Sequence, residues 1–378
     1  MLPTDDLLAE VAADTGLDDY GEPTFREGLE RLLWSLEHEA ALNEIGEIAA
    51  DTMIRGHLRN RLRITDWWQR HPELGAETID RPVLLVGLAR SGTTALSHLL
   101  GADPRWRSLR QWEANDSVPP PTTATYDTDP RFLAAIEAGD GMAALNPDFK
   151  KIHEDPPDAP IECVVLLCQT FVSLLYPTVW HLPSYTEWVL TTDHTPAVDY
   201  HRRALQLLQS QHPGRWQLKT PQHGIALDEL RAAHPGAAFV VTHRDPAVCT
   251  ASVASLFDAL GGPLTTGINK GDLGREAVHV IGGLADGLVA HARTHGTDAF
   301  VHLDYEEMRT DRMGTVRRLY DEVGMELTPE VEAALQAHVD ASPQGKHGRH
   351  TYDPADYGLD ADELDERFAA YRDTFGLG

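Results

Sequence analysis

The stretch RPVLLVGLARSGTTALSHLL, residues 81–100, constrains the fold more than any other part of the chain. A short apolar run over residues 83–86 stops at Gly87. Four residues then lead to Gly92, and from Thr93 apolar residues recur at helical spacing. A strand without polar alternation has both faces covered, so this one belongs inside a sheet flanked by helices. Successive N–H groups in such a turn form an anion nest, and the helix that follows adds its positive end. Gly87 and Gly92 let the backbone wrap a phosphate closely, with Ser91 between them and the hydroxyls of Thr93 and Thr94 as added donors. Arg90 contributes a permanent charge with a forked donor.

The alternation continues along the chain. Apolar strand patterns at 83–86, 106–112, 216–218, 238–241 and 299–303 are separated by helical ones, which predicts an α/β fold: a central parallel sheet with helices on both faces. Residues 5–72 read as helices, with Phe25, Leu29, Leu32, Leu33 and Leu36 on one stripe. The organisation expected is a helical N-terminal subdomain over 1–80 and an α/β domain over 81–378, with a helical insertion at 120–210. Within that insertion residues 161–176 read as one largely apolar helix. Ligands of such sheets sit beyond the carboxyl ends of the strands. The loop at 87–94, Trp112-Glu113, Lys219-Thr220 and Arg244-Asp245 all fall there.

Charge narrows the partners. Fifty-nine acidic residues against 32 basic ones give a net charge of −27, which argues against nucleic acid and against an anionic membrane surface. An anionic ligand therefore needs a locally basic pocket. The N-terminal residues lack the basic-then-apolar order of a signal peptide, and 161–176 is short for a membrane span. No integral membrane segment is expected, and a cytoplasmic location is. The cysteines Cys163, Cys168 and Cys249 form no Cys-x-x-Cys pair, so neither a disulfide framework nor a cysteine zinc site is indicated, and no metal is expected. His291 and His295 have metal-binding i, i+4 spacing, but no carboxylate follows in pattern, which leaves them on a helix surface.

The spacing of the first loop is near that of the Gly-x4-Gly-Lys-[Ser/Thr] triphosphate loop, yet Thr93 stands where the lysine should be. A second loop, in AAFVVTHRDPAVCTASVASL, carries Arg244 at a strand end and Ser252 two helical turns later. Together with Lys219-Thr220, these features resemble the sulfotransferases that use 3′-phosphoadenosine 5′-phosphosulfate. Arg90 followed by Ser-Gly-Thr-Thr is similar to the bacterial and tyrosylprotein branches. The resemblance implies a P-loop-like sulfotransferase fold in which Arg90, Ser91, Gly92, Thr93 and Thr94 hold the 5′-phosphosulfate, and Arg244 with Ser252 holds the 3′-phosphate. Such a donor has no γ-phosphate and needs neither the missing lysine nor a metal.

Sulfuryl transfer needs a base near the acceptor and positive groups at the sulfuryl and the leaving oxygen. Arg90 and Lys219 are the expected stabilisers. For the base two candidates stand, Glu113 at the end of the second strand pattern and His223 four residues after Lys219. The basic loop Lys346-His347-Gly348-Arg349 resembles the family's segment that closes over the 3′-phosphate. The expected acceptor is a small molecule or lipid-like alcohol or amine, entering beside the 120–210 insertion; oligomeric state is open. Two other readings stay in place: a divergent P-loop kinase, and a non-catalytic binder of adenosine phosphates.

Overall fold

A computed structural model of the chain describes residues 2–145, 157–341 and 353–377. Lys346, His347, Gly348 and Arg349 lie outside the described residues. Five strands, β1 (Val83–Leu85), β2 (Trp106–Ser108), β3 (Arg215–Lys219), β4 (Ala238–His243) and β5 (Phe300–Asp304), form one sheet in the order β2-β3-β1-β4-β5. Every pairing is parallel, and β1 and most of β4 read as the apolar runs that such buried strands carry.

The period of two along β1 divides the interior. Leu84 and Val86 join a large cluster with Leu218, Phe239 and Val241 on one face. Val83 and Leu85 join a smaller one with Val240, Leu303 and Tyr320 on the other. The larger cluster also takes in Leu29, Leu32, Ile54 and Leu58 from the helices Phe25–His38 and Glu44–Arg70. The N-terminal helices therefore share one core with the sheet.

Two segments depart from the sequence reading. The second strand ends at Ser108, and residues Gln111–Asn115 form a short helix with Glu113 in its first turn. The Glu113 carboxylate accepts the Arg110 N–H at 3.0 Å, which closes that turn. Residues 161–176 are not one helix either. Val164–Leu167 runs into a 3₁₀ turn, and the chain reverses at Phe171 with φ of 56°. Gln222 holds the reversal: its Oε1 accepts from Leu174 N at 2.7 Å and its Nε2 donates to Val172 O at 2.8 Å. Apolar periodicity carries no sign of a partner 50 residues away.

Among the described residues one helical stretch, Pro246–Leu264, is long and apolar enough by length and composition to cross a membrane. Half of it is buried inside the fold, where Cys249, Val253, Ala254 and Phe257 join the large cluster. That is how a core helix reads.

A cleft of about 190 Å³ opens where this helix ends, lined among others by Trp180, Phe257, Leu273 and Glu276. Burial pushes the Glu276 carboxyl up to about 7, against a hydrogen bond from Thr186. The folded state thus binds a proton that the unfolded chain releases near its ordinary 4.5. Its contribution to stability is full below that value and is lost as pH rises through 7. Glu276→Gln should flatten this dependence and be the more stable protein at pH 8 by on the order of 2–3 kcal/mol. Thermal unfolding of both proteins across this range checks it; parallel profiles would refute the assignment.

Candidate active site

The sheet register sets the site. Leu85 stands level with Lys219 on one side and Val240 on the other, so the loop after β1 emerges between the ends of β3 and β4. This is the point where the chain order reverses across the sheet, the usual ligand position in such folds.

The loop is held from below. A Cβ on Gly87 would come within 2.2 Å of Thr242 Oγ1 and 2.7 Å of the Thr242 carbonyl, so only glycine lets the loop lie on β4. Ser91, expected among the phosphosulfate contacts, faces inward instead. It is fully buried, its hydroxyl bonds the Leu88 carbonyl at 2.5 Å and Thr242 Oγ1 at 2.6 Å, and its N–H donates to the Leu88 carbonyl at 3.2 Å. Its part is to fix the turn. Arg90 and Gly92 both take left-handed φ values, 69° and 97°. The second is what glycine permits freely, and a side chain there would meet Tyr305 and Met308 at about 3 Å.

Gly92 caps the helix Thr93–Leu100 without any side-chain hydrogen bond. The first N–H groups of that helix keep their donor capacity for an anion. Thr93 is buried, so its backbone rather than its hydroxyl is the part on offer.

At one end of the loop Arg90 Nε donates to Ser252 Oγ at 3.1 Å, and Arg244 Nη1 donates to the Arg90 carbonyl at 2.7 Å. The Arg244 guanidinium lies 4.2 Å above the Tyr305 ring, which orients it. Asp245 serves the backbone rather than Arg244. It caps the helix Pro246–Gly261 through Ala247 and Val248 N–H and pairs with Arg372 at 3.0 Å.

At the other end Lys219, 2 % exposed, donates from Nζ to Thr94 Oγ1 at 2.9 Å and to Glu162 Oε1 at 2.8 Å. Thr220 Oγ1 donates to Glu162 Oε2 at 3.2 Å. Glu162 is 34 % exposed, so this carboxylate borders both the lysine and the solvent side. Arg90, Thr94, Lys219, Arg244 and Ser252 are therefore brought to one edge of the sheet, with Glu162 and Tyr305 added to them.

Neither expected base is among them. Glu113 is fully buried. Arg107 grips both its oxygens, Nη1 donating to Oε1 at 2.8 Å and Nη2 to Oε2, and the Tyr126 hydroxyl donates to Oε1 at 3.0 Å. With the Arg110 N–H, its acceptor positions are taken by internal donors. His223 is 2 % exposed, and burial depresses its imidazole to about 3. It has no path to a solvent-side acceptor, and a base that weak is mismatched to neutral pH.

Glu162 and Tyr305 escaped the sequence reading. A carboxylate just ahead of an apolar run, in PIECVVLL, was the signal for the first. For His291 and His295 the missing carboxylate comes from another helix: Asp228 Oδ1 lies 2.7 Å from His291 Nδ1 and 2.9 Å from His295 Nε2.

The comparisons with known proteins agree with this geometry. A family model described as "Sulfotransferase family" matches residues 82–329. The structure is similar to that of sulfotransferase STF9 from Mycobacterium avium, with 29% identity and a TM-score of 0.94 over 100% of this chain and 98% of that one. It is also similar to sulfotransferase STF1 from Mycobacterium tuberculosis H37Rv, with 33% identity and a TM-score of 0.87 over 97% of this chain and 98% of that one. No curated protein matches the sequence.

Proposed function

The chain belongs to the sulfotransferase family, and from that premise we propose that it transfers a sulfuryl group from 3′-phosphoadenosine 5′-phosphosulfate to a hydroxyl or amine of a small-molecule or lipid-like acceptor. The observation that carries this reading is the pair of cationic poles on one loop, Arg244 with Ser252 at one and Lys219 with Thr94 at the other, with Arg90 between them and bonded to Ser252. A donor bearing a phosphosulfate and a separate phosphate matches two such poles. The cradle also fits, because the uncapped start of Thr93–Leu100 offers backbone N–H groups to anionic oxygens.

The donor supplies an activated sulfur–oxygen bond: transfer joins the acceptor atom to sulfur, breaks the bond from sulfur to the phosphate oxygen, and frees the acceptor's proton. The protein's own groups divide the work. Arg90 and the helix N–H groups hold the phosphosulfate, and Arg244 with Ser252 holds the 3′-phosphate. Lys219 turns its ammonium from Glu162 and Thr94 toward charge on the leaving oxygen. Glu162, released from part of that pairing, takes the acceptor's proton. The three buried free thiols suit a reducing compartment, and a cytoplasmic location goes with this reading.

Calorimetric titration with 3′-phosphoadenosine 5′-phosphate and with ATP-Mg tests the donor. Arg244→Ala should weaken the bisphosphate by ~2–3 kcal/mol, about thirtyfold to over a hundredfold, and ATP-Mg should bind weakly to both proteins. Tighter ATP-Mg binding that is indifferent to Arg244 would instead support a kinase.

A further inference from the structure

Behind the loop that carries Lys219 lies a second cluster that the transfer chemistry does not use. Cys163, His201 and His223 each present one ligand atom, and the three atoms lie within 4.8 Å of one another. All three residues are buried, Cys163 and His201 completely. Both ring nitrogens of His201 and Nε2 of His223 are enclosed without any protein hydrogen-bond partner. The two rings meet edge to face with centroids 5.4 Å apart. Imidazoles buried among apolar neighbours normally find a carbonyl or hydroxyl. Here their polar edges and a thiol converge on one another instead.

We propose that Cys163, His201 and His223 form a buried binding site for a zinc-class divalent cation. A thiolate with two neutral imidazoles is a donor set that suits zinc. Tetrahedral bonds of about 2.0–2.3 Å separate neighbouring donor atoms by roughly 3.3–3.6 Å, inside the span seen here. Burial keeps both imidazoles neutral, as ligation requires, with His201 held well below its ordinary value. The same burial pushes the Cys163 thiol up to about 12. An ion would reverse that, with Cys163 losing its proton to solvent as the metal–sulfur bond forms. The fourth position falls to a water molecule, as in zinc sites with three protein ligands.

The site would tie together three separate parts of the chain. Cys163 follows Glu162 and donates its N–H to the Lys219 carbonyl at 2.8 Å. His223 lies in the middle of the 3₁₀ turn Pro221–Ile225 after β3, and His201 belongs to the helix Thr195–Gln209. A metal there fixes the backs of the two segments that present Glu162 and Lys219, so it acts on positioning and stability rather than on the reacting atoms. The inference concerns the bound ion alone and stands apart from the identity of the donor.

Elemental analysis of the full chain, produced in zinc-replete medium with any affinity tag removed, tests it. The expected result is about one zinc per chain, lost in Cys163→Ser and in His201→Gln and retained in Asp228→Asn, which alters the separate pair His291 and His295. Should the first two variants fail to fold, wild type decides the matter. Cobalt taken up in place of zinc should give a thiolate-to-cobalt charge-transfer band, and a strong chelator should lower the unfolding midpoint. Wild type that carries no metal and takes up no cobalt would overturn the site. So would an ion that survives Cys163→Ser but leaves with Asp228→Asn.

Discussion

Glu162→Gln is expected to lower kcat by ~10²–10⁴-fold, the range that a positioned general base contributes, with bisphosphate affinity close to wild type. The reasoning is local. Glutamine keeps an oxygen that can accept from Lys219 Nζ, now 2.8 Å from the carboxylate, so the lysine stays in place while proton acceptance is lost. Lys219 is buried while Glu162 stands partly in solvent, so losing the countercharge should lower the midpoint, though by less than orphaning a charge whose partner is also fully buried. Steady-state kinetics beside calorimetry separates the two effects. An unchanged kcat would reduce Glu162 to a holder of Lys219 and return the base to another group.

Glu113→Ala should behave in the opposite way. Arg107 and Glu113 are 2 % and 0 % exposed, and removing one member leaves the other charge buried without its partner. Such a loss costs about 3–5 kcal/mol, which for a chain of this size lowers the midpoint by about 4–6 °C. Replacing both residues by apolar ones of similar volume should recover most of it, since the penalty lies in the orphaned charge and not in the absent bond. Thermal unfolding of the single and double variants measures this. A single variant with an unshifted midpoint and a collapsed kcat would restore Glu113 as the base.

These two carboxylates mark how far the sequence could be read. Strands, sheet class and the two loops at the strand ends were legible, because apolar runs, glycine positions and strand-end basic residues are local signals. Arg90, Lys219, Arg244 and Ser252 were found that way, and they do lie together. Glu113 was expected at the end of a strand, and the structure places it in a short buried helix instead. Arg107, six residues earlier, draws it into the interior, and a short helix forms where extension was expected. The pairing of Glu162 with Lys219 was not legible because the two lie 57 residues apart, a distance that no periodicity spans. The same holds for Asp228 beneath His291 and His295, and for Gln222 at the reversal by Phe171. In each case a polar side chain answers to a neighbour in space rather than in sequence.

The contact between Arg244 and the Arg90 carbonyl has a kinetic side. Two guanidinium groups are held at one loop end of a protein whose net charge is −27. Beyond a Debye length of about 8 Å an approaching polyanion meets screened repulsion and gains nothing from that pair. Capture is then a short-range event, decided in the last few ångströms and governed more by how slowly the ligand leaves than by how quickly it arrives.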